Sequence, residues 1–297
     1  IGGYDLGSTY MQIATMAMGM VLFSFMIWFL QEPDRVTKWR LWIAAAAVAV
    51  LGINLIIGTA VNGSKNWIII GPISIQPSEF VKIALILVGT STLARLQTTK
   101  NLTEFIGFSA VCVGALFLMS DFGTACIFFL TFLIIAFIRS GDVRTIIFIV
   151  AAACLGAFLI LQFKPYIADR FAVWGHAWEY LNDTGYQQAR VMSYAASGGL
   201  FGLGAGNGWL KYVFAADTDL VFAFLCEEWG LIIGLCAVAV IVILAVFTVR
   251  SAKVGRSSFY TIAACAAVTI LTIQTILNVF GTMDLLPLTG VTFPFLS

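Results

Sequence analysis

The chain has 297 residues, of which 61% are hydrophobic and 10% charged, and its mean hydropathy is +0.99. A soluble domain carries about 25% charged and about 45–50% apolar residues, which excludes an ordinary water-soluble protein. The net charge of +1, from 16 basic against 15 acidic residues, gives no acidic tail and no nucleic-acid-binding surface.

The useful unit of length is therefore the membrane span of about 20 apolar residues. Apolar runs bounded by charges or by Gly and Pro predict eight spans: 8–30, 40–60, 79–97, 105–120, 122–139, 145–163, 220–249 and 257–281. A ninth element begins near Leu285. The expected fold is all-α: a polytopic transmembrane helical bundle forming one integral membrane domain over 1–297, with a large extracellular loop at about 164–219. No segment has the charged start and cleavage site of a signal peptide.

The connections alternate in charge. Arg35, Lys38, Arg40, Arg95, Lys100, Arg139, Arg144, Arg250, Lys253 and Arg256 occupy four short loops, which makes those loops cytoplasmic. The other set comprises the 61–78 loop, the turn at Asp121, the 164–219 loop and the region after Asp284; these face outward. In the long loop, Trp174, Trp178 and Tyr180 suggest surface helices lying in the membrane interface. The six cysteines lie in or beside apolar runs without a CxxC pair, and read as small buried hydrophobes.

A charge at membrane depth costs at least about 2.5–3.5 kcal/mol, so each one is a functional candidate. Along the chain, the first is Glu79 with Lys82, after Gln76-Pro77-Ser78. Ser78 is the expected helix cap, and the pair at i,i+3 is either a structural ion pair or a place for a phosphate or a partner helix. Asp121 reads first as a turn residue and helix cap. Asp217 and Asp219 precede a long apolar helix, where Thr218 or Asp219 is available as the cap. A carboxylate there would also serve as a general base toward a lipid-linked substrate. Glu227 and Glu228 lie two turns further on, without a cation within one turn, and suggest either pairing with another helix or a channel lining.

Other patterns carry no chemistry. Gly202-Leu203-Gly204-Ala205-Gly206-Asn207-Gly208 has no preceding strand and so cannot be a dinucleotide loop. His176, the one histidine, has no metal-ligating neighbour at ligand spacing and supports no catalytic triad.

Taken in order, Asn66-Trp67, Gln76-Pro77-Ser78-Glu79-Phe80-Val81-Lys82, Asp121-Phe122-Gly123-Thr124, Tyr186-Gln187-Gln188, Ser197-Gly198-Gly199-Leu200-Phe201-Gly202, Thr218-Asp219, Glu227-Glu228-Trp229-Gly230 and the run Leu286–Ser297 resemble the SEDS family. These are the RodA, FtsW and SpoVE proteins of bacterial shape, division and sporulation. The likeness covers nearly the whole chain. Members have about ten spans, so the first span and the end of the last are expected to lie outside the 297 residues. Departures from the family pattern are Phe214-Ala215 in place of Pro-Glu, Asp217 in place of His, and Ser120-Asp121-Phe122-Gly123 in place of Pro-Asp-Leu-Gly.

The resemblance implies a peptidoglycan glycosyltransferase that polymerises lipid II on the outer face of the bacterial cytoplasmic membrane with a class B penicillin-binding protein. Asp219 corresponds to the family's essential aspartate, Trp67 to its loop tryptophan, and Glu79 and Lys82 to its Glu/Lys pair. Substrate contacts are expected from Trp67, Glu79, Lys82, Asp121, Arg190, Asp217, Glu227 and Glu228. The expected chemistry is an inverting transfer with Asp219 as base. Charge on the leaving diphosphate would be met by a divalent cation (Mg or Mn) or by Lys82 or Arg190. A flippase of lipid-linked precursors and an inactive scaffold for a transpeptidase are the alternatives.

Overall fold

The computed structural model describes residues 6–61, 64–70, 73–93, 99–141, 174–180, 185–216, 218–255 and 257–297, and scattered positions between 143 and 154. Two long helices, α1 (Leu6–Leu30) and α2 (Pro33–Ile57), lead into a small antiparallel meander of β1 (Thr59–Val61), β2 (Ser64–Ile70) and β3 (Ile73–Ile75). Then come α3 (Pro77–Leu93), α4 (Thr99–Leu118), α5 (Phe122–Ser140), α6 (Tyr186–Ser197), α7 (Val221–Trp229), α8 (Leu231–Val254) and α9 (Ser258–Thr282), with a 3-10 turn at Leu210–Tyr212. The fold is a polytopic helical bundle. Five of the described helices contain a window long and apolar enough to cross a membrane: Ile13–Leu30, Pro33–Ile57, Asn101–Leu118, Leu231–Val254 and Ser258–Thr282.

Helix α3 is the axis of the bundle. Val81, Leu85 and Val88 are buried along it, and so are Thr90, Ser91 and Thr92. Helices α2, α4, α5 and α9 surround it. Between membrane helices, association depends on close packing rather than on apolar burial, so small residues mark the contacts. Gly89 is the clearest case. A Cβ there would stand 2.8 Å from the Phe105 ring and 3.2 Å from Ile135 Cδ1. Phe105 in turn tilts against Phe132, ring centroids 5.3 Å apart. The opposite extreme is α1 and α8, where Met16, Phe23, Ile243 and Phe247 are exposed on helices that are apolar all round. Such a surface suits lipid.

Several sequence expectations change. The predicted span 220–249 is two helices, α7 and α8, broken at Gly230 with φ 88°. Its apolar run continues through the break, so hydropathy cannot register it. The 61–78 loop is ordered by strand pairing, with Thr59 opposite Trp67 and Ile69 opposite Ser74. The element after Leu285 is a chain of turns and irregular backbone rather than a span. Trp174, Trp178 and Tyr180 lie in turns, not in surface helices. The predicted span 145–163, apart from scattered positions, and residues 164–173 of the long loop lie outside the described residues. The cysteines are free; Cys112 and Cys226 are buried, whereas Cys154 and Cys236 are exposed.

Because Gly89 admits the Phe105 ring to the axis helix, Gly89→Val overpacks the core. The expected loss is about 1–3 kcal/mol, read as a lower thermal unfolding midpoint in detergent.

Candidate active site at one end of the bundle

Polar residues gather where α3 and α5 begin, where α4 and α9 end, and where the chain enters α7. The first knot is Asp121, 5% exposed. Its Oδ1 accepts the Thr124 N–H at 3.2 Å and caps α5. Its Oδ2 accepts from Asn66 Nδ2 at 3.1 Å and Gln76 Nε2 at 3.3 Å. One carboxylate thus joins the meander, the start of α3 and the start of α5. Ser64 Oγ and the Lys65 N–H add bonds to the Ser120 and Met119 carbonyls. Trp67 is held half-buried in β2, its carbonyl accepting from Thr59 Oγ1 at 3.0 Å.

Helix α3 starts at Pro77, so Ser78 lies inside the first turn rather than capping it. Proline at that position costs no hydrogen bond, since the first N–H groups of a helix have no partner within it. Lys82 Nζ donates to Glu79 Oε1 at 2.7 Å; the lysine side chain is 6% exposed and the glutamate 44%. Both line a cleft of about 400 Å³ between α3 and α9, together with Phe80, Ile83, Leu271 and Gln274. The walls are apolar apart from the Glu79–Lys82 pair and Gln274.

One turn beyond Gln274 on the same face of α9 is Asn278, since residues at i and i+4 stand about 6 Å apart. Asn278 Nδ2 donates to the Asp219 carbonyl at 2.8 Å and to the Val291 carbonyl at 2.7 Å. The segment 286–297 completes the seat. Ser297 Oγ donates to the Thr218 carbonyl at 2.7 Å, and a Cβ on Gly290 would stand 3.2 Å from Asp219 Oδ2. The N-cap of α7 is Leu220, with no side-chain cap bond, so neither Thr218 nor Asp219 fills the cap position expected of them. Asp217 lies outside the described residues.

Glu227 and Glu228 are both buried. Glu227 has no exposed surface, and its two oxygens accept the Trp209 N–H at 2.7 Å and the Leu210 N–H at 2.9 Å. It clamps the segment at Trp209–Leu210 rather than another membrane helix. The glycine-rich stretch has a structural use here. The Leu203 and Gly204 N–H groups bond to the Glu227 and Glu228 carbonyls, and the Leu231 N–H bonds to the Gly199 carbonyl. The loop therefore satisfies backbone groups freed by the break between α7 and α8. Gly202, at φ 83°, would put a Cβ 2.3 Å from the Glu228 carbonyl oxygen. Arg190 is exposed on α6, stacked 4.3 Å over the Tyr186 ring. His176, whose Nδ1 is 3.1 Å from the Trp174 carbonyl, takes no part in the site.

Three residues of this end escape a search for charges: Gln188, Gln274 and Asn278. Gln188 Nε2 on α6 donates to the Gly281 and Thr282 carbonyls, closing the end of α9 at 2.8 and 3.1 Å. An amide within an apolar run is itself a signal, because its polar atoms require partners there. Among the described residues no group of three or more His, Cys, Asp or Glu is arranged to hold a metal ion.

An apolar cleft with a polar mouth lies within a bundle of membrane helices, the architecture of a multi-pass membrane protein. Comparison with known proteins identifies the family. The sequence profile described as "Cell cycle protein", covering FtsW, RodA and SpoVE, matches residues 3–297. The chain is 29% identical over 287 residues to stage V sporulation protein E of Bacillus subtilis, covering 91% of this chain and 77% of that protein. It is 33% identical over 269 residues to the probable peptidoglycan glycosyltransferase FtsW of Coxiella burnetii, covering 86% and 72%. With the peptidoglycan glycosyltransferase RodA of Mycobacterium tuberculosis it shares 27% identity over 320 residues, 100% of this chain and 67% of the other. The fold matches a chain from a study of a peptidoglycan synthase complex that coordinates polymerization and crosslinking, with TM-score 0.79 at 22% identity over 99% of this chain and 84% of that one. The crystal structure of RodA from Thermus thermophilus matches at TM-score 0.64 and 22% identity, covering 95% and 79%. The chain belongs to the FtsW/RodA/SpoVE family.

Glu227→Gln would turn a donor toward a backbone N–H. The loop anchor should weaken by about 1–3 kcal/mol, measurable as a lower unfolding midpoint. An unchanged midpoint would mean the carboxylate does not hold the loop.

Proposed function

We propose that this chain polymerises lipid II, the undecaprenyl-diphosphate-linked disaccharide peptide, into glycan strands, with Asp219 as general base. It is a glycosyltransferase of its family, as the names of its relatives imply, and works in the bacterial cytoplasmic membrane with its site facing outward. The observation that carries the reading is the continuity along α9. The apolar cleft with Glu79 and Lys82 ends at Gln274, and Asn278, one turn on, holds the residue that bears the Asp219 carboxylate.

An undecaprenyl chain needs an apolar groove, and its diphosphate needs a cation near the groove's end. The cleft supplies the first and Lys82, oriented by Glu79, the second. The acceptor's sugar hydroxyl attacks the anomeric carbon of the donor from the side opposite the diphosphate. A carbon–oxygen bond forms as the bond to the diphosphate breaks, the configuration inverts, and Asp219 takes the hydroxyl proton. The lipid diphosphate leaves with the electron pair. A bound Mg or Mn ion would supply charge compensation for the leaving diphosphate, in the way Lys82 does. Trp67, Asp121, Arg190 and Asp217, two residues before the base, are assigned as further substrate contacts from sequence. A class B penicillin-binding protein is the expected partner, crosslinking the strands produced.

Purified Asp219→Asn protein given labelled lipid II should form glycan at least about 100-fold more slowly than wild type, a general base contributing about 10²–10⁴. Polymer formation at the wild-type rate would overturn the assignment. Potential-driven lipid movement with no polymer from wild-type protein would indicate a flippase instead.

A further inference from the structure

We infer that Asn278 is a positioning residue for the reaction, setting where the Asp219 carboxylate stands by gripping its backbone. The inference rests on the reading of Asp219 as base. Asn278 is 2% exposed, and its Nδ2 reaches two backbone carbonyls from different parts of the chain: Asp219, before α7, and Val291, in the terminal segment. Both neighbours are acceptors only, so the amide can face them only through its nitrogen. The side chain thereby locks three elements together at one atom: α9, the approach to α7, and the run 286–297.

Two observations separate this from ordinary packing. First, Asn278 Oδ1 is buried without a hydrogen-bond partner among the described residues. An unpaired buried acceptor is destabilising, so the amide is a poor choice for stability alone. Second, the space beside the Asp219 carboxylate itself is limited. Gly290, at φ 67°, leaves only 3.2 Å between an added Cβ and Asp219 Oδ2, and it lies next to Val291, which Asn278 holds. The same amide therefore fixes both the backbone of Asp219 and the wall its carboxylate faces. Ser297 Oγ, donating to the Thr218 carbonyl while accepting the Phe293 N–H at 2.8 Å, prevents the terminal run from drifting as a unit.

A base displaced by about an ångström loses about 100-fold in rate while ground-state binding is left nearly intact. The test compares Asn278→Asp, of the same shape but presenting an acceptor to two carbonyls, with Gly290→Ala, which presses on the carboxylate directly. Asp219→Asn is the reference. Lipid II polymerisation is measured as kcat and KM, and folding as the thermal midpoint in detergent. The expected result is a fall in kcat of about 100-fold in both variants, with KM for lipid II within about twofold of wild type. If Asn278→Asp does not fold, Gly290→Ala decides by the same split. Wild-type kcat in the folded variants, or losses that appear in KM rather than kcat, would overturn the inference. An active Asp219→Asn protein would instead sink the base assignment, and a dead Asp219→Asn beside fully active Asn278→Asp and Gly290→Ala would sink only the positioning role.

Discussion

Two hydrogen bonds from one buried amide tie three separate parts of the site together. Asn278 joins the backbone at Asp219 to that at Val291, over sequence separations of 59 and 13 residues. The turn before α7 and the run 286–297 are also joined by the Ser297–Thr218 bond, and the run meets α7 through the stacked rings of Phe222 and Phe293. The rest of the end follows the same rule. Asp121 joins three elements through one carboxylate, Glu227 joins a loop to α7, and Gln188 closes the end of α9. In an apolar bundle a buried polar side chain is costly without partners, and helix ends offer backbone groups that can supply them.

That rule explains the division of labour within the molecule. The helical shafts carry packing: Gly89 against Phe105, Leu85 and Leu116 in the core, and apolar faces of α1 and α8 turned outward. One end carries the polar work. The cleft between α3 and α9 connects the two, because it is apolar along its walls and meets Glu79, Lys82 and Gln274 at its polar edge. The proposed substrate, with a long hydrocarbon tail and a charged head, matches that gradient.

Much of this was legible in the sequence, for physical reasons that also mark its limits. Apolar runs of span length announce membrane helices, and the bounds of α1, α2, α5 and α9 lie within a few residues of the hydropathic ones except where α2 begins, seven residues early. Pro33 starts that helix among charges, which hydropathy treats as loop although charged first turns are ordinary helix. The break at Gly230 was invisible because its cause is distant: the 199–204 loop enters the gap and bonds to both helix ends. Asp219, Glu79, Lys82 and Asp121 could be named from charge and from family pattern. Asn278 and Gln274 could not, because a search for charges passes over neutral amides, and their partners are set by tertiary structure alone. The same glycine run that offered a false nucleotide motif proved to be a splice between α7 and α8.

The central claim is that the α3–α9 cleft receives the prenyl chain of the substrate and delivers its diphosphate to the mouth beside Asp219. The most direct measurement is photo-crosslinking with lipid II carrying a diazirine on its prenyl chain, followed by peptide mapping. The account predicts adducts on Phe80, Ile83 and Leu271 that unlabelled lipid II competes away. Adducts confined to the outward faces of α1 and α8, unaffected by competitor, would contradict it.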